Sequence, residues 1–145
     1  MAAAAPSPFR SAAEFREVMD RALTVVSTDE AMGPRVRDEA IATRVELTDL
    51  ALVVNIRPAE PSAVGFLTWE WSDDVDWPPA TRMTMSSEVA NRCLQGAETV
   101  ATAMARGRIR AAGDVRGALA MLPAIQPLFE RYRAMIAEDY PHLAA

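Results

Sequence analysis

The chain has 145 residues, half of them hydrophobic and 24% charged, the mix of one globular domain able to bury ~70% of the surface its unfolded form exposes. Its formal charge is −5, all 15 basic residues are Arg, and there is one His and one Cys. That census excludes a Schiff-base or P-loop lysine, a Cys/His zinc site and an intrachain disulfide, and it argues against a general nucleic-acid binder.

Residues 1–10 start Ala/Pro-rich, without the basic start and apolar stretch of a signal peptide, and read as a flexible tail. No apolar run approaches the ~20 residues of an integral membrane segment. With a single thiol besides, cytoplasm is the expected compartment. The all-arginine, alanine-heavy composition points to a GC-rich bacterial coding sequence.

Ser11-Ala-Ala-Glu14 is a capping-box pattern, and Phe15, Val18, Met19, Ala22 and Val25/Val26 follow at helical spacing. A helix over 11–27 is predicted. Residues 29–42, with Gly33-Pro34 and mixed charges, read as a connection with room for a short helical turn. The period then becomes two. Residues 44–48 and 50–56 read as hairpin strands about Thr48-Asp49, with Val45, Leu47, Leu52, Val54 and Ile56 inward. Residues 66–71 form a third strand with Leu67, Trp69 and Trp71 on one face. An acidic loop ending in Pro78-Pro79 leads to a fourth strand over 81–85, completing a meander.

Ser86-Ser87 caps a helix carrying Val89, Ala90, Cys93 and Leu94, and Gly96 ends it. A helix over 97–105 stops at Gly107, and 108–112 is a fifth strand. Arg106, Arg108 and Arg110 alternate and would share one solvated strand face. Asp114 caps a helix over 115–122, and Pro123 starts another that runs to about Asp139. Antiparallel strands with flanking helices make a two-layer α+β domain over 11–140, with 141–145 as a C-terminal tail.

Met83-Thr84-Met85-Ser86-Ser87-Glu88, then Leu94-Gln95-Gly96, Gly107-Arg108-Ile109-Arg110 and Gly113-Asp114 fall at matching intervals. In these pieces and their spacing the chain resembles the sterol carrier protein type-two (lipid-transfer) family, over about residues 11–138. The resemblance implies a five-stranded, mainly antiparallel sheet with helices covering one face and an apolar tunnel between the layers. Members of that family bind sterols, fatty acyl chains or fatty acyl-CoA there. Two departures bear on the cavity: the aromatic, acidic run from Trp69 to Trp77, and the long amphipathic helix from Pro123 to Tyr140.

The expected ligand-binding residues are Leu67, Trp69, Trp71, Met83, Met85, Leu94, Val100, Met104, Leu122, Ile125, Phe129 and Tyr132. The eight Met residues suit a deformable cavity, although each also suits plain core filling. Phe129, Tyr132, Met135 and Ile136 form a stripe that reads as a lid, a fixed wall or an interface. Arg82 or Arg92 is a candidate contact for an anionic head group. Glu70, Asp73, Asp74 and Asp76 lack the spacing of a calcium loop and read as a solvated acidic segment. No cofactor, metal ligand or catalytic residue is assigned. Ser86 and Ser87 read as caps without a base, and Cys93 reads as a small buried apolar side chain. The function expected is binding and transfer of an apolar ligand, lipid, fatty acyl or sterol-like. The alternative is a pathway enzyme or accessory protein that folds, cyclises or delivers a lipophilic intermediate in the same cavity. The expected partners are that small molecule and a second copy or a partner enzyme, with no nucleic acid.

Overall fold

Ser11 does what its pattern predicts: its hydroxyl accepts from the Glu14 N–H at 3.1 Å, and Glu14 Oε1 accepts from the Arg10 N–H at 3.1 Å. Helix α1 (Ala12–Thr28) follows, burying Phe15, Val18, Met19, Ala22 and Val26 along one face. The computed structural model describes residues 7–39, 41–60 and 64–145. Residues 1–6 of the expected N-terminal tail lie outside these. Phe9, by contrast, is buried edge-on against Phe15, with ring centroids 4.8 Å apart.

The connection expected over 29–42 holds a complete helix, α2 (Met32–Glu39). Asp29 makes it possible, because Oδ1 accepts from the N–H groups of Ala31 and Met32 at 2.9 and 2.7 Å. Pro34 sits in the first turn, where its missing N–H would have had no helical partner.

Strands β1 (Thr43–Leu47) and β2 (Leu52–Pro58) form the predicted hairpin, and β3 (Leu67–Glu70) pairs antiparallel with β2. β4 (Thr81–Met85) departs from the expected meander. It crosses back to lie parallel to β1, and β5 (Arg110–Gly113) pairs antiparallel with it. The sheet order is β3-β2-β1-β4-β5. With a period of two, the registers put Val45, Leu47, Val54, Ile56, Leu67, Trp69, Met83 and Met85 on one face. Arg44, Asn55, Glu70 and Arg82 fall on the other. Crossover to β4 requires the acidic segment to pass over that polar face. It is held there by Arg44 Nη1 donating to the Asp73 carbonyl (2.8 Å) and by Arg57 stacked over Trp77 (5.1 Å).

Helix α3 (Ser87–Leu94) is capped by Ser86, and α4 (Val100–Ala105) by Thr99. Gly96 and Gly107 end these turns at φ +74° and +73°, as expected. Arg108 precedes β5 and bonds Glu98, so the three alternating arginines do not share a strand face. Glu98 lies buried between Arg92 and Arg108.

The two helices expected beyond Asp114 are one, α5 (Val115–Asp139), with Pro123 and Pro127 inside it. Both prolines are exposed, so the carbonyls they leave without an N–H donor can be hydrated. The buried stripe of α5 is Ala124, Leu128, Tyr132 and Ile136, at i, i+4 spacing. Phe129 falls beside it.

A main core joins α1, α2 and α5 to the sheet, and a smaller one holds Val89, Cys93, Ala103 and Ile109. Burial pushes the Cys93 thiol above its ordinary pKa. The segment expected as a C-terminal tail docks as well. Pro141–Leu143 forms a 3-10 turn with Leu143 buried. The Leu143 carbonyl accepts from Asn91 Nδ2 (2.8 Å) and Gln95 Nε2 (2.9 Å). Asn91 Oδ1 in turn accepts from Gln95 Nε2 (2.9 Å) and the Tyr132 hydroxyl (2.7 Å).

Candidate functional site

α1 and α5 meet over the main core and leave a groove of about 430 Å³ between them. Residues on and beside the buried stripe of each helix line it: Asp20, Arg21, Ala22, Thr24 and Val25 from α1, and Leu128, Arg131, Tyr132 and Met135 from α5. Helical spacing places the α5 residues on one face. Ala22, Val25, Leu128, Met135 and the ring of Tyr132 make an apolar surface.

The polar side chains of the groove are almost all engaged elsewhere. Arg21 pairs with Asp139 at 2.9 Å and donates to the Tyr140 hydroxyl at 3.4 Å. Those two hydrogen bonds raise its pKa above the ordinary guanidinium value. Arg131 pairs with Asp29 at 2.5 Å. Thr24 donates back to the Asp20 carbonyl at 2.6 Å. The Tyr132 hydroxyl donates to Asn91, and burial holds its phenol well above the ordinary pKa. Asp20 Oδ1 accepts from the indole N–H groups of both Trp69 (2.9 Å) and Trp71 (2.7 Å). One carboxylate on α1 thus satisfies two half-buried tryptophans at the sheet edge.

Of the residues expected to bind ligand, Tyr132 lines this groove. Leu67 is buried in the main core, and Trp69, Trp71, Met85, Leu94 and Ile125 pack against it. Val100 and Met104 pack on the smaller core. Met83, Leu122 and Phe129 are half-buried and belong to neither cluster. Groove residues Ala22, Val25 and Met135 stood in the predicted helical stripes without being read as ligand contacts. The signal that marks Val25 and Met135 is their offset from the fully buried stripe. Asp20, Arg21 and Arg131 carried no such signal, because a charge on a helix face reads as solvated.

Arg82 and Arg92 are not placed for a head group at this groove. Arg82 lies on the polar face of the sheet, and Arg92 turns to Glu98 at 3.6 Å. A second, polar groove of about 480 Å³ lies on that face, lined by Arg44, Asn55, Arg82 and residues 73–79. Among the described residues, no three His, Cys, Asp or Glu side chains gather as a metal site, and no helix is long and apolar enough to cross a membrane.

No protein-family model matches the sequence, and no curated protein matches it. Several solved structures do. The solution structure of sterol carrier protein domain 2 of Helicoverpa armigera superposes over 90% of this chain and 97% of its own, with a TM-score of 0.55 and 16% identity. The ubiquinone synthesis protein UbiJ-SCP2 covers 81% of this chain and 89% of its own, with a TM-score of 0.56 and 10% identity. The apo form of sterol carrier protein 2 from Yarrowia lipolytica covers 86% and 93%, with a TM-score of 0.53 and 12% identity. The sec-alkylsulfatase Pisa1 from Pseudomonas sp. also matches, with a TM-score of 0.56 and 11% identity over 69% of this chain. The chain spans 14% of that enzyme's length.

Proposed function

We propose that this chain, which has the sterol carrier protein 2 fold, binds and carries an apolar small molecule, with the α1–α5 groove as its point of access. The observation that carries this reading is a groove in which half-buried Val25 and Met135 stand over buried Ala22 and Leu128. Its volume lies within the ~300–1,000 Å³ usual for small-molecule sites. A ligand seated there loses water-exposed apolar surface, at ~25 cal/mol per Å², so 200 Å² yields ~5 kcal/mol before ordering costs. Met135 supplies a side chain that conforms to irregular ligands. Tyr132 and Leu128 belong to the same main core as Leu67, against which Trp69 and Met85 pack. That two of the matched structures are named as sterol carriers supports the choice of ligand class.

Native mass spectrometry of the purified protein, with solvent extraction of what it carries, tests this. An apolar molecule should co-purify and be absent from a Val25→Glu variant that retains its fold. Protein that is repeatedly ligand-free and binds no sterol or long-chain probe would overturn the reading.

A further inference from the structure

One edge of the molecule carries an unbalanced positive charge. β5 is the outermost strand, bonded only to β4. Residues 99–129, which run through α4, β5 and the first part of α5, hold four arginines and one acid in a chain whose formal charge is −5. All four arginines are exposed. Arg108 turns to buried Glu98, which it shares with Arg92, so that pair keeps a surplus positive charge. Arg106 is the C-cap of α4, Arg110 opens β5 and Arg116 lies in the first turn of α5. These three make no ion pair among the described residues. At ~3.4 Å per residue the chain keeps Arg110 within ~14 Å of Arg106 and ~20 Å of Arg116. The one acid, Asp114, caps α5 by accepting from the Gly117 N–H at 2.8 Å. Ala101, Ala105 and Ala112, on the same elements, are exposed and uncharged. A charge on an edge strand also discourages edge-to-edge pairing. That role needs a charge on β5, and Arg106 and Arg116 stand outside it.

We infer that this edge docks the chain reversibly on an anionic lipid bilayer. Each arginine brought to such a surface gains from its negative potential, and the gain is felt within about a Debye length, ~8 Å at physiological ionic strength. Acids farther from the surface than that are screened, so the overall negative charge does not prevent docking. A single-stranded nucleic acid would want aromatic rings for its bases, and residues 99–122 hold none. The choice of a bilayer over a nucleic acid also rests on the carrier reading above, because an apolar cargo is taken up from and returned to a lipid phase.

Co-sedimentation of the full chain with vesicles tests this, using phosphatidylcholine alone and phosphatidylcholine with about one third phosphatidylglycerol. The chain should bind the mixed vesicles and not the neutral ones, and its partitioning should fall about tenfold between ~0.05 and ~0.2 M salt. Arg110→Gln should weaken binding about fivefold, and the triple variant Arg106→Gln, Arg110→Gln, Arg116→Gln tenfold or more. Arg35→Gln, the same charge change on α2, should leave binding unchanged. The wild-type comparison of the two vesicles stands even if a variant folds poorly. Equal binding to both vesicles, no binding to the anionic ones, equal losses in Arg35→Gln and Arg110→Gln, or tighter binding to a DNA duplex at matched phosphate overturns the inference. The assay needs no cargo. Failure here therefore leaves the groove as the ligand site, and failure to find a co-purifying ligand leaves the vesicle result standing.

Discussion

The hydroxyl of Tyr132 offers the sharpest test of how the last helix is fixed. The side chain is 1% exposed, and its oxygen donates to Asn91 Oδ1 at 2.7 Å. Tyr132→Phe deletes that bond and keeps the ring. Asn91 Oδ1 retains the Gln95 donor at 2.9 Å, so no buried acceptor is stranded. The expected cost is therefore that of one ordinary hydrogen bond, ~1 kcal/mol. Asn91→Ala does the reverse: it strands the Tyr132 hydroxyl in the core and removes one of the two donors to the Leu143 carbonyl, for ~2–3 kcal/mol. With ~2.1 cal/mol/K of unfolding entropy per residue over 145 residues, each ~1 kcal/mol lowers Tm by ~3 °C. Tyr132→Phe should thus melt ~3 °C below the parent and Asn91→Ala ~6–9 °C below. The double variant should show a coupling of ~1 kcal/mol in urea unfolding. Equal losses for the two single variants, or strict additivity, would refute the assignment of this network as a joint.

Three further outcomes follow from the same geometry. Burial raises both phenols, the chain's two Tyr residues, with the Glu17 contact adding to Tyr140 and Arg21 opposing it. Their contribution to stability is intact below the ordinary phenol pKa near ~10 and is lost as pH rises through the raised values. Ultraviolet titration should accordingly show no tyrosinate in the ordinary range until the chain unfolds. Asp29 is held below its ordinary pKa by the N–H groups of Met32 and Ala31, with Arg131 assisting. Its stabilisation is present above the unfolded carboxylate value and fades as pH falls through the lowered one, so Asp29→Asn should flatten the acid limb of a stability–pH curve. Gly113 sits at φ +83°, where an added Cβ would strike the Ala80 carbonyl oxygen. Gly113→Ala should cost ~1–3 kcal/mol in equilibrium unfolding.

Much of the fold was legible because its local signals agree. The helix N-caps, the period-two runs and the helix-ending glycines each specify an element within a few residues. What was not legible depends on contacts between distant segments. Pro123 looks like a helix start because the chain alone does not reveal that its ring faces solvent on a longer helix. The parallel seat of β4 beside β1 is set by packing across the sheet, where hairpin signals carry no information. α2 escaped notice because Gly33 and Pro34 suppress helix propensity. Gly33 is tolerated because the Phe66 ring occupies the space where a Cβ would go. At the site, the apolar candidates were identified as inward-facing but not as open or closed. Whether Val25 or Val26 meets solvent is a question of where α5 lies. The double engagement of Asp20 by Trp69 and Trp71 joins two elements that no short-range pattern connects.

The groove has a consequence for how this chain matures. One wall is Asp20–Val25 and the other Leu128–Met135, brought together from near opposite ends of the polypeptide. If the groove is the ligand site proposed above, no partly folded form that lacks either helix can hold the ligand. Binding there would act on the native state alone, raising stability by RT ln(1 + [L]/Kd), ~2.7 kcal/mol at a hundredfold excess over Kd. The cargo would act as a folding ligand: a newly made chain would be sealed by what it carries, and an emptied one would be the form most exposed to unfolding and proteolysis.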